Sequence, residues 1–360
     1  MNTYAMRWKA IGYFAIFLIP LLMPLAAWLG QRYGMPNLYA WLPIFALFVV
    51  LPIADYILGR DSQNPEHSEL AILEAQRYYR VLTLLCVPAY LAALFYSGQY
   101  FATAELSVSG MLGWLLSQGV VGGIVAINVA HELIHKPNKL EQGAGGILLA
   151  SVCYGGFKIE HVRGHHVHVS TPEDASSAPF GENVYRFVCN SVVRNVVAAY
   201  KLEAARLKKL NIPVWHWRNE LLAWHGLSIL MCVGFGFWLG LAGVGFFIAQ
   251  SCVAFITLEV INYIEHYGLE RQKLSNGRYE RTTHLHSWNS NYLLTNLLLF
   301  QLQRHSDHHE NPRRRYQALL HYDASPQLPG GYPAMFLLAL VPPLWFSIMN
   351  PRVRAHRQSA

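Results

Sequence analysis

Long apolar stretches alternate with polar, basic segments along the whole chain. Six stretches, at roughly 8–29, 37–58, 79–97, 111–132, 221–240 and 242–264, each predict a membrane-crossing helix, since a span needs about 20 mostly apolar residues. Gly145–Phe157 is too short for this, and Pro333–Met349 is interrupted by Pro342–Pro343, which breaks a helix. Both predict buried or re-entrant segments. Val184–Leu210 is amphipathic and predicts a helix that lies along the membrane surface or packs under the bundle. The pattern predicts an all-α membrane protein, a single domain over 1–360. It has six transmembrane helices, and a helical cap formed by 133–220 and 265–360. No internal repeat or low-complexity tract interrupts it.

Composition agrees with this. Hydrophobic residues make up 53% of the chain and charged residues only 14%, where soluble domains carry about 25%. Basic residues orient the bundle. The segment 133–220 holds eleven Lys and Arg, the loop near 31–36 only Arg32, and the loop near 98–110 none. Positive residues stay on the cytoplasmic side, so six spans put both termini and the cap there. The net charge of +7 follows from that bias and gives no reason to invoke nucleic acid. The first apolar stretch is too long for a signal-peptide core and predicts a retained span. The five cysteines, Cys86, Cys153, Cys189, Cys232 and Cys252, include no CxxC pair. A disulfide framework, a cysteine-zinc site or an iron–sulfur cluster is not expected.

The chemistry lies in histidine. His131 and His135 fall in HELIHK; His161, His165 and His166 in EHVRGHH; His266 in NYIEHYG; and His305, His308 and His309 in LQRHSDHH. Neutral imidazole is the commonest side-chain metal ligand, and residues four apart on a helix share a face. His131 with His135, and His161 with His165, are read as such pairs, with His166 turned toward a neighbouring position. The three histidines of the last cluster are read as one face. Four to six donors satisfy one metal, so nine suggest two ions. His67, His168, His216, His225, His284, His286, His321 and His356 lack that clustering and are read as ordinary polar side chains. HELIHK alone would suggest a zinc protease, but that chemistry has no use for the other clusters. Glu132, Glu160, Glu265 and Asp307 sit within or beside the clusters. They are expected to accept the outward ring N–H of ligating histidines and fix their orientation.

These motifs, with HVHVSTPEDAS, NYIEHYGLER, LQRHSDHHENP, LPGGYPAM and the stretch IADYILGRDSQNP that carries Asp55, Gly59, Asp61, Asn64 and Pro65, resemble the bacterial membrane alkane 1-monooxygenases (AlkB-type alkane hydroxylases). The resemblance covers about 37–335. The spacing of the clusters is shared with the wider membrane fatty-acid desaturase and hydroxylase superfamily. One departure is Ala175–Ser176–Ser177, where a proline is expected after Asp174. The resemblance implies a non-haem di-iron site with all nine clustered histidines as ligands. It implies terminal hydroxylation of medium-chain n-alkanes by dioxygen, with electrons from reduced rubredoxin, itself reduced by a rubredoxin reductase. It places the protein in the bacterial inner membrane, where lipid delivers the alkane. With no CxxC pair of its own, the chain needs rubredoxin as a separate polypeptide or a fused domain.

An n-alkane offers no polar handle, so selection of its end must come from shape. A channel between the second and fourth spans is expected, walled by Leu47, Phe48, Leu51, Ile124, Ile127 and Asn128. Rubredoxin is expected to dock on a basic surface of Lys136, Lys139, Arg163, Arg313, Arg314 and Arg315. Two other readings stand beside this one. The first is a related hydroxylase of methyl-aromatics, terpenes or fatty acyl chains. The second, more distant, is a histidine-rich metal transporter, which would place its ionisable groups at mid-bilayer.

Overall fold

The computed structural model describes residues 3–359, which fold into helices joined by loops, with isolated backbone bridges such as Arg60 to Tyr292 in place of a sheet. The helices that build the site are, in chain order, α1 (Trp8–Tyr33), α2 (Leu42–Leu58), α3 (Arg77–Thr103), α4 (Val108–Ile134), α5 (Lys139–Ala150), α6 (residues 157–168), α7 (Val184–Lys209), α8 (Glu220–His266), α9 (Leu293–Leu298), α10 (His305–Glu310), α11 (Tyr332–Ala339) and α12 (Pro342–Ser359). Among the described residues α1, α3, α4 and α8 are long and apolar enough to cross a membrane. Helix α2 is apolar but shorter, and α11 and α12 meet at a bend of 119°, a broken span or re-entrant loop. The break falls just before Pro342, as the proline pair requires.

Helix α8 is two helical arms that meet at a kink. Gly240 has φ 66° and ψ −153°, a backbone region that side chains with a Cβ avoid. Phe235 lies 5.9 Å from Phe246 and 5.3 Å from Phe247, ring centroid to ring centroid. A straight helix would separate such residues by about 16 Å or more. Ser228 and Gln250 both donate to carbonyls at the end of α5, those of Ala150 and Ser151. The chain therefore doubles back at Gly240, close to the division expected between 221–240 and 242–264.

Three helices widen locally into π turns, at Ala46–Val50, Gly122–Ile127 and His161–His165. Such turns insert a residue and rotate the next stretch of helix about its axis, and they gather at functional sites. In α2 the cause is Pro52, which has no N–H and crowds the carbonyl four residues before it. In α4 the turn lies beside a close approach to α8, where a Cβ on Gly119 would sit 2.3 Å from Val253 and one on Gly123 3.0 Å from Thr257. These two glycines serve helix packing, and Gly123 also borders a cavity of about 820 Å³.

Candidate metal centre

All nine clustered histidines converge, carried by the end of α4, by α6, by the last residue of α8 and by α10. They form two groups. One nitrogen each from His131, His135, His161, His166 and His308 lies within 4.8 Å of the others in its group, and so do nitrogens of His165, His266, His305 and His309. The two groups abut: the rings of His166 and His309 stack at 4.4 Å.

The expected pairing is corrected in two places. His161 and His165 fall in different groups; His161 faces His166, Nε2 to Nε2 at 3.1 Å. The π turn is the reason, because i→i+5 geometry brings residues five apart onto one face. In α10 the i, i+4 pair His305 and His309 stays together, Nε2 to Nε2 at 3.0 Å, while His308 turns to the other group and meets His166 at 3.1 Å. His131 and His135 share a group, as their spacing requires.

The donor set fits metal better than hydrogen bonding. A neutral ring nitrogen offers either one proton or one lone pair, yet His305 Nε2 faces His266 at 3.2 Å, His309 at 3.0 Å and Glu265 Oε2 at 3.2 Å. Adjacent donors around an octahedral ion with bonds of about 2.1 Å stand about 3.0 Å apart. The buried Nε2 atoms of His131 and His135 have no hydrogen-bond partner. Burial first, then the neighbouring rings, push His161, His166, His305, His308 and His309 well below the usual imidazole range. Those rings are neutral at pH 7, the form that binds metal.

The four carboxylates expected to orient these rings behave differently. Glu265 accepts from the Tyr332 hydroxyl at 2.7 Å and approaches His305. Glu160 is buried with one oxygen unpartnered, and burial with the neighbouring Asp174 and Glu259 carboxyls pushes it well above the carboxylate range. Glu132 pairs with Lys136 at 2.9 Å instead of a ring, because the i+4 lysine is buried beside it. Asp307 accepts from Arg314 (2.6 Å), the Leu320 amide (2.9 Å) and Tyr322 (3.1 Å), and so clamps the loop after α10. The carboxylate that sequence reasoning missed is Asp174. Its Oδ2 stands 2.9 Å from His165 Nδ1 and accepts from Ser177. Burial alone would raise this carboxyl; His165 and the Ser177 hydroxyl hold it down at about 2. Arg304 was missed as well. It is buried and donates to the carbonyls of Leu319, Asp61 and Gln63, fixing the start of α10.

The isolated histidines stay outside both groups. His168 pairs with Glu173, His286 contacts Glu280 and Thr283, and His321 pairs with Asp323. Asp174→Asn should weaken metal retention about 10- to 100-fold by loosening His165, read as faster metal loss to a chelator. Unchanged retention would show that His165 needs no such support.

A cavity of about 820 Å³ opens before the imidazoles. His131, His161 and His305 stand at one end, and apolar side chains from α1, α2, α4, α8, α9 and α11 form the walls. Phe48, Leu51, Ile124 and Asn128 line it. Leu47 and Ile127 do not; both are buried in the packing core behind the π turns, which rotate them off the cavity face. Leu258, Ile261, Leu302 and Phe336 complete the walls and were not foreseen. Asn128 Nδ2 is buried without a partner at the cavity.

Of the basic residues expected to form a docking surface, Lys136 is buried, held by Glu132 and the Arg314 carbonyl. Arg163 is tied to Glu203 and Glu220, Arg314 to Asp307, and Arg315 to Glu141. Lys139 and Arg313 are exposed.

Residues 106–339 match the family model described as fatty acid desaturase. The chain is 54% identical over 357 residues to alkane 1-monooxygenase 2 of Pseudomonas aeruginosa, covering 99% of this chain and 95% of the relative. It is 53% identical to alkane 1-monooxygenase 1 of the same organism (97% and 92% covered) and 48% identical to alkane 1-monooxygenase 2 of Alcanivorax borkumensis (98% and 92% covered). With its histidine motifs folded into one paired centre and its likeness running almost end to end, this chain belongs to the alkane 1-monooxygenase family, within the wider fatty acid desaturase family.

Proposed function

We propose that the protein hydroxylates the terminal carbon of medium-chain n-alkanes, using dioxygen and electrons from reduced rubredoxin. The observation that carries this reading is an apolar cavity that ends on two adjoining groups of imidazoles. Two non-haem irons would be held, one by His131, His135, His161, His166 and His308, the other by His165, His266, His305 and His309. When bound, the irons supply dioxygen activation. The chain's own residues do the rest. Apolar walls exclude water and align the alkane, so position selects the methyl group. Asp174 holds His165 through its Nδ1, while Glu265, tied by the Tyr332 hydroxyl, stands beside the donor nitrogen of His305. Asn128 is one of the polar groups lining the cavity with the imidazoles, placed to hold water or the new hydroxyl.

In this reading the hairpin at Gly240 counts as two spans and α2 as a third, shorter one. With α1, α3 and α4 they make six, both termini and the metal centre lie at the cytoplasmic face, and the membrane is the bacterial inner membrane. Product analysis with octane, dodecane, p-xylene and a fatty acid, with reduced rubredoxin as donor, tests the reading. 1-Octanol supports it. Oxidation of p-xylene or the fatty acid alone would assign the protein to another hydrophobe.

Lys139 and Arg313 are the free charges left for rubredoxin docking. Complementary charge speeds encounter and makes it salt-sensitive. Reversing both to glutamate should lower turnover at low salt by about tenfold and flatten its salt dependence. Unchanged kinetics would move the docking surface elsewhere.

A further inference from the structure

A fully buried carboxylate in the second arm of α8 has no role in the reading above. Glu259 lies seven residues before His266 in an apolar helix. Ionisable side chains in such helices are costly and mark proton or ion routes. Among the described residues no lysine or arginine bonds to it. Its partners are polar side chains from three directions. Tyr154 donates its hydroxyl to Oε1 at 2.5 Å, and Asn195 of α7 donates Nδ2 to the same oxygen at 3.1 Å. The Ser191 hydroxyl of α7 and Asn262 Nδ2, at 3.2 Å, donate to Oε2. Glu160 of α6 is the other buried acid that faces it.

The cluster sits between two cavities. Tyr154 and Asn195 line a side cavity of about 310 Å³ bordered by α7 and the start of α8, with the exposed Tyr200 and the half-buried His225 among its walls. Asn262 lines the main cavity, together with His131 and His161. Phe157 belongs to both walls. One set of hydrogen bonds therefore crosses the partition between a cavity near the protein surface and the cavity before the imidazoles.

Monooxygenation needs such a crossing. The balance is RH + O2 + 2 e− + 2 H+ → ROH + H2O. The O–O bond breaks and one oxygen enters the C–H bond. The other takes both protons and leaves as water, reduced by the two electrons from rubredoxin. Apolar walls cannot supply these protons. We infer that Glu259 delivers them: it takes a proton from side-cavity water through the Tyr154 hydroxyl and releases it to water held by Asn262 in the main cavity. The inference rests on the hydroxylase reading.

The test is Glu259→Gln in the iron-loaded protein, with reduced rubredoxin and octane. Bound iron should be unchanged. Turnover should fall about tenfold or more, the solvent deuterium isotope effect should rise, and part of the electrons should appear as hydrogen peroxide. A side chain that only ties α7 to α8 would leave the isotope effect and the alcohol formed per electron pair at wild-type values, and that result overturns the relay. If the variant loses iron, Tyr154→Phe decides by the same two readouts, since it removes the hydroxyl and keeps the ring against Phe157 and Phe255. A wild-type protein that consumes electrons without forming alcohol would instead fail the hydroxylase reading, and the same assay shows it.

Discussion

Alanine at His266 is expected to abolish alkane hydroxylation and to remove about half of the bound iron. His266 is fully buried and belongs to the group of four, so its loss leaves three imidazoles. His161 belongs to the group of five, and its loss leaves four donors. A site that keeps four nitrogen donors retains metal better than one cut to three, so His161→Ala should hold more iron than His266→Ala while also losing activity. The two groups share a stacked wall at His166 and His309, so a substitution there disturbs both sites at once. His266 makes its ring contacts within its own group, while His161 also stacks on His165 across the boundary at 5.1 Å. His168→Ala, which removes only a surface pair with Glu173, should keep both irons and most turnover. Metal analysis of the three purified variants, with iron-sensitive spectroscopy of each, checks this. Equal iron loss in the two site variants, or activity retained in either, would refute the division into five and four.

The histidines were legible in the sequence because metal ligands demand a residue type and a spacing at once, and four clusters met both. Their grouping was not legible. A spacing of four implies one face only on an α-helix, and the π turn at His161–His165 is a local departure that HVRGH does not announce. The same limit misplaced Leu47 and Ile127, which flank or lie within π turns and face the core. The four long apolar helices could be read from hydropathy, and the turn between 221–240 and 242–264 from the length of the apolar run, with Gly240 as its pivot. Charge was read less well. Lys136, Arg314 and Arg315 looked like surface cations, yet each meets an acid distant from it or one helical turn away. Partners such as Glu141 for Arg315 become visible only once the chain is folded. Asp174 escaped for the same reason: nothing in STPEDAS separates it from a turn residue until His165 is seen beside it.

Shortening Ile124 to alanine is expected to move the preferred alkane to longer chains, and enlarging it to tryptophan to move the preference to shorter ones. Ile124 lines the main cavity seven residues before His131 on α4, about 10 Å along the helix, roughly the length of an eight-carbon chain. It is a better stop than Phe48, whose ring packs at a tilt against Phe336 at 4.9 Å; trimming Phe48 would let its partner fall into the space. Ile124 packs against both large apolar clusters, so its neighbours are held from two sides and a shortened side chain leaves open length. Truncating a buried isoleucine costs about 2–5 kcal/mol where a new void must form. Here the side chain already borders a cavity, so the cost falls at the low end and the fold survives. His131, His161 and His305 at the other end are untouched, so oxidation should stay on the terminal carbon in both variants. The measurement is the alcohol profile across the n-alkanes from hexane to hexadecane, with product position determined for each. Opposite shifts in the two variants with terminal alcohols throughout are the expected result. An unmoved optimum in both, or alcohols at internal carbons, would mean that the chain end is held elsewhere in the cavity.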